Sequence, residues 1–300
     1  MNFRNVTVAG TGVLGSQIAY QTAYKGLLVR VYDISDDVLV HARERFIQLK
    51  ENYREDLGVT QQTVDEAFNR ISFFSDLAQA VENADLVIEA IPEVARIKTD
   101  FYKHLGKVAP EKTIFATNSS TLLPSQFAEA TGRPGKFLAL HFANGIWKRN
   151  TAEVMKHSGT DQKVFQDVVE FAKAIGMVAL PLYKEQPGYI LNSLLVPFLD
   201  AAQMLLLNEV ADVETIDRAW MIATGAPEGP FAMIDAVGIN TAYNIVHAQA
   251  DATGDPSFGR LARLLKTEYI DKGKLGKATG QGFYSYPSPR FLSPHFLRNQ

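Results

Sequence analysis

The sequence predicts an α/β fold in which a doubly wound, mostly parallel sheet is followed by an all-α C-terminal domain. In the first part of the 300-residue chain, strand-like runs alternate with helical patterns, which implies parallel strands joined by right-handed crossovers. The strand signal stops near Leu182, and only helical patterns follow. Pro187-Gly188 is typical of a junction, so we expect one domain over 1–184 and a helical one over 185–300.

The elements of the first domain are predicted from apolar periodicity. Six strands are expected at Val6–Ala9, Leu28–Tyr32, Ile71–Phe74, Leu86–Ala90, Ile114–Thr117 and Phe137–Leu140, with two more at Val154–Met155 and Val178–Leu180. Helices are expected at Leu14–Lys25, Ser35–Tyr53, Arg96–Val108, Ser125–Ala130 and Gln162–Ala174. The charged stretch from Asp36 to Asn69 predicts a helical hairpin inserted after the second strand, with its turn near Gly58.

The second domain is predicted to contain a long apolar helix and several amphipathic ones. They are expected over Ile190–Asn208, Val213–Ala223, Tyr243–Ala250 and Gly259–Asp271. The tail Pro287–Gln300, which contains three prolines, is expected to lie extended on the surface.

The first βα turn reads Gly10-Thr11-Gly12-Val13-Leu14-Gly15. In such a turn the first glycine permits a sharp bend, the second lets a diphosphate approach the backbone, and the third allows close helix–strand packing. The unpaired N–H groups of the helix N-terminus attract phosphate. The spacing therefore predicts a Rossmann-type dinucleotide site, and a glycine-rich turn in another kind of α/β protein is the alternative.

Asp33 follows the second predicted strand, where the dinucleotide fingerprint requires an acidic residue. Its carboxylate would accept hydrogen bonds from the ribose hydroxyls and would repel a 2′-phosphate. Ile34 and Ser35 follow it, so the next residues offer no arginine to bind that phosphate. The expected cofactor is therefore NAD(H) rather than NADP(H).

Composition narrows the class of protein further. The hydrophobic fraction of 46% supports a full core, and the net charge of −3 argues against nonspecific nucleic-acid binding. With no cysteine, disulfides, thiolate chemistry and Cys-ligated zinc are excluded. The first strand begins almost at the N-terminus, and no apolar run reaches the length of a membrane span. We expect a cytoplasmic enzyme with a small-molecule substrate and no nucleic-acid or membrane partner.

The segment around Leu191–Leu207 is apolar on nearly every face, and such a helix must be buried on all sides. The second domain is too small to enclose it easily. We therefore expect a homodimer joined through this helical part, and burial within its own chain is the alternative.

Two polar segments follow predicted strands at the carboxyl edge of the sheet, where open α/β folds bind ligands. Thr117-Asn118-Ser119-Ser120-Thr121 carries more hydroxyl and amide groups than packing needs, although its serines could instead cap a helix. His141 is followed by Glu153 twelve residues later, and a loop of that length can bring the carboxylate to the imidazole. Such a pair is the usual general base with its orienting group, but a single histidine at a strand end is often structural.

Taken in order, the motifs resemble the 3-hydroxyacyl-CoA dehydrogenase family over nearly the whole chain. Besides the glycine-rich turn, the matching segments are Val87-Ile88-Glu89-Ala90-Ile91-Pro92-Glu93, Thr117-Asn118-Ser119-Ser120, Leu140-His141-Phe142, Pro187-Gly188-Tyr189-Ile190-Leu191-Asn192, Gly229-Pro230-Phe231 with Asp235 and Gly238, and Gly280-Gln281-Gly282-Phe283-Tyr284. The resemblance implies NAD-dependent oxidation of the 3-hydroxyl of a short-chain 3-hydroxyacyl-CoA to the 3-ketoacyl-CoA, and the reverse, without a metal.

The resemblance also implies catalytic roles. His141 matches the family's base, and Glu153 matches the carboxylate that orients it. Ser120 and Asn192 match the residues that bind the reacting oxygen of the substrate. The other histidines are expected to be surface or packing residues: His41, His104, His157, His247 and His295.

For the cofactor, the resemblance assigns Glu93 and Lys98 to the surroundings of the ribose and nicotinamide. Asn118 is assigned to the cofactor as well, together with the glycine-rich turn and Asp33.

One loop departs from the family pattern, which usually continues Phe-Asn-Pro-x-Pro after His-Phe. This chain has Ala143-Asn144-Gly145-Ile146-Trp147-Lys148-Arg149-Asn150. We expect Asn144, Trp147 and Lys148 to face the substrate, the indole covering an acyl chain or a ring. Lys148 or Arg149 would meet a phosphate or a carboxylate, unless the two cations are simply solvated.

The departure leaves the substrate open. In acyl-CoA members the helical insertion usually helps to hold the CoA nucleotide, and here its cations are intermixed with acidic residues. The candidates for that role are Arg43, Arg45, Lys50 and Arg54. Two other interpretations are the same chemistry on a free 3-hydroxy acid or sugar acid, and a catalytically idle NAD-binding protein.

Overall fold

The computed structural model describes residues 3–298, and its first part is built on a single sheet. The strands are β1 (Asn5–Ala9), β2 (Leu28–Tyr32), β3 (Ile71–Phe74), β4 (Leu86–Glu89), β5 (Ile114–Thr117), β6 (Phe137–Phe142), β7 (Thr151–Met155) and β8 (Val178–Leu182). Their order across the sheet is β3-β2-β1-β4-β5-β6-β7-β8. Neighbouring strands are parallel except β6 and β7. The predicted doubly wound, mostly parallel sheet is thus confirmed.

The chain runs from β1 outward through β2 and β3, and then returns to place β4 on the other side of β1. Such a reversal opens a crevice at the carboxyl ends of the two central strands, where this class of fold binds ligands. Strands β4, β5 and β6 are buried along their whole length, which explains their continuous apolar sequences. Polar residues at the ends of these strands therefore need a role other than filling the core.

The helices around the sheet are α1 (Val13–Tyr24), α2 (Asp36–Leu57), α3 (Gln61–Asn69), α4 (Leu77–Val81), α5 (Ala95–Val108) and α6 (Gln162–Ala174). Helices α2 and α3 form the predicted hairpin, and Gly58 closes α2 in the left-handed conformation with φ +65°. The predicted helix Ser125–Ala130 is wrong. That segment forms two short 3-10 turns, because Pro124 starts the first and the left-handed Gly132 ends the second.

The chain divides into two compact units, of which the first ends at Ile190 and the second begins at Leu191. The expected boundary after Lys184 falls in the same connection, between β8 and the first helix of the second unit. Within residues 3–298 no helix is long and apolar enough to cross a membrane.

The second unit contains α7 (Leu191–Leu207), α8 (Val213–Thr224), α9 (Pro230–Val237), α10 (Ile239–Thr253) and α11 (Pro256–Glu268). Helix α9 was not predicted, because it is short and apolar and its sequence shows no amphipathic period. The described part of the tail is not extended as expected. It folds into turns, because Phe291 and Phe296 are buried against the apolar core of this unit.

Two buried carboxylates hold the second unit together and explain several of its motif residues. Asp217 accepts hydrogen bonds from the Phe231 N–H at 2.8 Å and from the Tyr284 hydroxyl at 2.9 Å. Asp235 accepts from the N–H groups of Phe283 and Tyr284, both at 2.8 Å. A Cβ at Gly282 would lie 2.0 Å from Asp235 Oδ1, so only glycine permits this contact.

The burial of Asp217 predicts a pH dependence of stability. Burial, reinforced by the charge of Asp235, raises the pKa of Asp217 from 3.8 to about 6. The folded state therefore binds the Asp217 proton more tightly than the unfolded state does. The stability gained from this proton is fully present below about pH 4 and is lost as the pH rises through about 6. The difference between the two pKa values corresponds to about 3 kcal/mol in the free energy of unfolding.

We expect Asp217→Asn to remove this component from the pH dependence of the free energy of unfolding between pH 4 and pH 6, measured with urea. Parallel pH profiles for the two proteins would contradict the prediction.

Candidate active site

The glycine-rich turn has the geometry that a dinucleotide diphosphate requires. A Cβ at Gly10, whose φ is +98°, would lie 2.4 Å from the Ala90 carbonyl oxygen, and one at Gly15 would lie 2.0 Å from the Gly10 carbonyl oxygen. At Gly12 an added Cβ would meet none of the described residues within 4 Å. Gly12 caps α1 and has no side chain to accept from the first-turn N–H groups. Those donors are thus suited to binding a diphosphate.

Asp33 binds the glycine-rich turn from the end of β2. Its Oδ2 accepts hydrogen bonds from the N–H and the hydroxyl of Thr11, at 2.7 and 2.6 Å, and its Oδ1 accepts from the Ile34 N–H at 2.8 Å. A carboxylate has about four acceptor positions, so Asp33 can still accept from a ribose hydroxyl. Arg45, which the sequence offered only as a candidate for the CoA nucleotide, reaches the same turn from α2 and donates to the Thr11 carbonyl oxygen at 3.2 Å.

A network of buried charges lies at the ends of β4 and β5. Glu89 accepts from Lys98 Nζ at 2.5 Å and from the hydroxyls of Tyr102 and Thr117, each at 2.8 Å. Lys98 also pairs with Glu93 at 3.2 Å, and the lysine side chain is only 1% exposed. Lys98 therefore orients Glu93. The main partner of Lys98 is Glu89, which the sequence offered only as part of a motif.

Glu93 joins this network to the polar segment after β5. It accepts hydrogen bonds from the Ser119 hydroxyl and from the N–H and hydroxyl of Thr121, the latter two at 3.1 and 3.0 Å. Partial burial disfavours its charge, but these bonds and the charge of Lys98 outweigh that effect and lower the pKa of Glu93 to about 2. Glu93 is thus a permanent anion at this edge.

The two serines of the polar segment make different contacts, and neither caps a helix among the described residues. Ser119 Oγ accepts from the Leu122 N–H at 2.9 Å and so stabilises a turn. Ser120 Oγ instead lies 3.2 Å from His141 Nε2. The buried Asn118 accepts from the Phe142 N–H at 3.0 Å, which joins the ends of β5 and β6. This contact is structural, and the predicted contact of Asn118 with the cofactor stays a prediction.

His141 and Glu153 face each other across the antiparallel pair of β6 and β7. Strand β6 continues to Phe142, so His141 lies within the strand rather than after it. Nδ1 lies 3.0 Å from Glu153 Oε2, and both side chains are almost completely buried. A carboxylate can only accept, so Nδ1–H is the donor, and the neutral imidazole presents an unprotonated Nε2 toward Ser120.

The loop between β6 and β7 packs on α2. Asp56 accepts hydrogen bonds from the Trp147 indole N–H and from Lys148 Nζ, both at 2.8 Å. The indole also contacts the Tyr53 ring, with 5.3 Å between the ring centroids. Asp56 thus already neutralises Lys148, whereas Asn144 is exposed and carries no comparable bond among those described. The predicted substrate contacts of Asn144, Trp147 and Lys148 stay predictions.

Asn192 is the second residue of α7 and belongs to the second unit. Among the other histidines, His157 is buried, and its ring forms hydrogen bonds with the Pro134 carbonyl and the Gly159 N–H. The other four are exposed: His41, His104, His247 and His295. Their placement agrees with the surface and packing roles expected for them.

Comparison with known proteins gives consistent matches along the chain. Residues 5–186 match the NAD-binding domain of 3-hydroxyacyl-CoA dehydrogenase, and residues 188–286 match the C-terminal domain of the same family. The human mitochondrial hydroxyacyl-coenzyme A dehydrogenase is 35% identical over 94% of this chain and 91% of its own length. A probable 3-hydroxybutyryl-CoA dehydrogenase of Bacillus subtilis is 33% identical over 95% of this chain and 98% of its own length.

Solved structures are similar over nearly the whole chain. A diketoreductase, described as acting on dicarbonyl compounds by substrate-directed dual catalysis, is 56% identical with a TM-score of 0.91, over 95% of this chain and 100% of its own. The (S)-3-hydroxybutyryl-CoA dehydrogenase of Ralstonia eutropha is 27% identical with a TM-score of 0.83, over 96% of this chain and 100% of its own.

The position of Asp33 predicts tighter binding of NAD⁺ than of NADP⁺, because the carboxylate repels a 2′-phosphate. Asp33→Ala should reduce this preference, because the repelling carboxylate is removed while Arg45 stays beside the turn. Isothermal calorimetry with both dinucleotides measures the two affinities. Equal affinities in the unmodified protein would contradict the assignment.

Proposed function

The chain belongs to the 3-hydroxyacyl-CoA dehydrogenase family and is an NAD-dependent oxidoreductase, and on that premise we propose that His141 is the general base that interconverts a 3-hydroxyl and a 3-oxo group. The observation that carries the proposal is the imidazole of His141, held between Glu153 and Ser120 at the carboxyl edge of the sheet. A buried base with one fixed proton and one unprotonated nitrogen is suited to proton transfer from an alcohol.

In the oxidation, His141 Nε2 takes the proton of the 3-hydroxyl as the C3–O bond becomes a carbonyl. The glycine-rich turn and Asp33 would hold NAD⁺, which would supply the acceptor for the hydride of C3. Glu153 stabilises the imidazolium that forms and holds its ring in place, without itself taking the proton. Ser120 donates a hydrogen bond to the reacting oxygen, and Asn192 is the second donor that the family match suggests. In the reduction C3 receives the hydride, and the same proton returns from His141 Nε2 to the oxygen.

On the cofactor side we propose that α1 and the glycine-rich turn bind the diphosphate and that Asp33 binds the adenosine ribose. We propose that Glu93 accepts a hydrogen bond from the nicotinamide ribose. Lys98, which is buried with Glu89, then acts by holding Glu93 in position. Each role is consistent with the hydrogen bonds that these side chains make in the protein.

The curated relatives support a 3-hydroxyacyl-CoA, and we propose a short-chain one as the first candidate substrate. A small dicarbonyl compound or free 3-oxo acid is the second candidate. The diketoreductase, with 56% identity, favours it.

The charges of the hairpin also favour the smaller substrate. CoA carries several phosphate charges and needs cations, but Lys50 pairs with Asp65 at 2.5 Å and Arg54 with Glu51 at 2.7 Å. Lys148 pairs with Asp56 in the same way. A CoA nucleotide that bound Lys50, Arg54 or Lys148 would have to displace these carboxylates, whereas a small substrate would not.

NADH consumption with acetoacetyl-CoA, free acetoacetate and 2,4-pentanedione distinguishes the candidates. Turnover of the thioester alone supports the first, and turnover of a free compound alone supports the second. No turnover of any 3-oxo compound by the folded, NAD-binding protein would favour the idle interpretation and contradict the proposal.

His141→Ala and Glu153→Gln are expected to lower kcat on the accepted substrate, the former by about 10²–10⁴-fold, since the base and its orienting group act in the proton transfer. The affinity for NAD⁺ should be retained. His104→Ala is the control, because His104 is exposed on α5. Near-normal kcat in His141→Ala would refute the role of His141.

We also propose a homodimer formed through α7. This helix carries exposed apolar side chains. Leu194 is 69% exposed and Leu205 is 42% exposed, and Ile222 of α8 is exposed as well. A second copy of the same chain would cover such an apolar face. The cytoplasmic location stays a prediction.

Sedimentation equilibrium at micromolar concentration is expected to show a dimer. Leu194→Asp should shift it toward monomer, because it places a charge on the apolar face. Leu292→Asp is the matched control, since Leu292 is 65% exposed but lies outside α7. A monomeric unmodified protein, or equal effects of both substitutions, would overturn the proposal.

A further inference from the structure

The turn Pro187-Gly188-Tyr189-Ile190 matches the family, yet the proposed mechanism uses only Asn192, which lies beyond it. Tyr189 is 1% exposed and has a φ of +55°, and the preceding Gly188 has a φ of +78°. The left-handed conformation is unfavourable for a bulky residue such as tyrosine. Residues held in this way often cluster at active sites, so the contacts of Tyr189 are of interest.

Tyr189 contacts both halves of the Ser120–His141 pair, the imidazole directly and Ser120 through the peptide that precedes it. Its ring stacks on the His141 imidazole, with 4.6 Å between the centroids and 23° between the planes. Its hydroxyl donates to the carbonyl oxygen of Ser119 at 2.7 Å, in the peptide that precedes Ser120. The next residue, Ile190, donates its N–H to Glu153 Oε1 at 2.8 Å.

We propose that Tyr189 is a positioning residue that sets the distance between Ser120 Oγ and His141 Nε2, an inference that rests on the proposed function. Glu153 holds the imidazole at Nδ1 only, so the ring can still tilt about that hydrogen bond. The Tyr189 ring blocks this tilt on one face and excludes water there. Its hydroxyl fixes the backbone that carries Ser120, so one side chain aligns the base and the hydrogen-bond donor.

The Tyr189 hydroxyl distinguishes a positioning role of this side chain from a role in filling the core. A phenylalanine at this position would keep the stacked ring, but it would leave the Ser119 carbonyl without this donor. The serine segment would then move relative to the imidazole while the core stays filled. The expected defect therefore lies in kcat and depends on the presence of Ser120.

The test is a double-mutant cycle of Tyr189→Phe and Ser120→Ala, measured as kcat on the accepted substrate. Loss of one hydrogen bond predicts a decrease in kcat of about 3- to 10-fold in the unmodified background. In the Ser120→Ala background the same substitution is expected to have less than about a 2-fold effect, because the group that it positions is absent. The KM for NAD⁺ and the unfolding temperature should change little.

Tyr20→Phe is the matched control, since Tyr20 is also fully buried and donates to a main-chain carbonyl, that of Val64, at 3.0 Å. It is expected to leave kcat unchanged. Tyr189→Leu removes the ring as well and should lower kcat by about 10²-fold, with most of that loss recovered in Tyr189→Phe. If the leucine variant does not fold, the double-mutant cycle with Tyr189→Phe alone tests whether Tyr189 positions Ser120.

Equal losses from Tyr189→Phe in both backgrounds, or no loss in the unmodified one, would overturn the inference. Either result is compatible with His141 as the base. A His141→Ala variant with near-normal kcat would instead refute the proposed function, so the two failures are distinguishable.

Discussion

The antiparallel pairing of β6 with β7 is the constraint on which the candidate site depends. It places His141 directly opposite Glu153 in an otherwise parallel sheet. Side chains directly opposite each other in such a pair have Cβ atoms about 5 Å apart, so imidazole and carboxylate meet without any adjustment of a loop. Both are buried, and a buried carboxylate without a partner is strongly unfavourable. The same contact therefore stabilises the sheet and prepares a base.

The other charged groups at the carboxyl edge of the sheet are likewise paired with a group of opposite charge or with hydrogen-bond donors. Lys98 lies between Glu89 and Glu93, and Glu93 receives the hydroxyls of the segment after β5. That segment in turn carries Ser120 to His141. The glycine-rich turn follows β1 and the base lies on β6, in one sheet in which β4 and β5 stand between them. A continuous hydrogen-bonded sheet suits hydride transfer, which depends on the distance between the reacting atoms.

The features that the sequence predicted correctly are those that local sequence patterns determine. The observed strands begin and end within a few residues of the predicted ones, and the hairpin turn at Gly58 and the glycine-rich turn are where they were expected. It failed where distant contacts decide. Asp56 meets Trp147 91 residues away, and Tyr189 meets Ser119 70 residues away, so neither contact leaves a local signal. The folded tail likewise depends on the burial of Phe291 and Phe296 in the core of the second unit.

The central claim is that Glu153 acts through His141, and the kcat of the His141→Ala, Glu153→Gln double variant tests it most directly. If the carboxylate works only by holding the imidazole and stabilising its cation, removing it after the imidazole is gone has little further effect. The double variant is therefore expected to have a kcat about equal to that of His141→Ala alone. A double variant in which the two single losses multiply would contradict it, because Glu153 would then act on the reaction independently of His141.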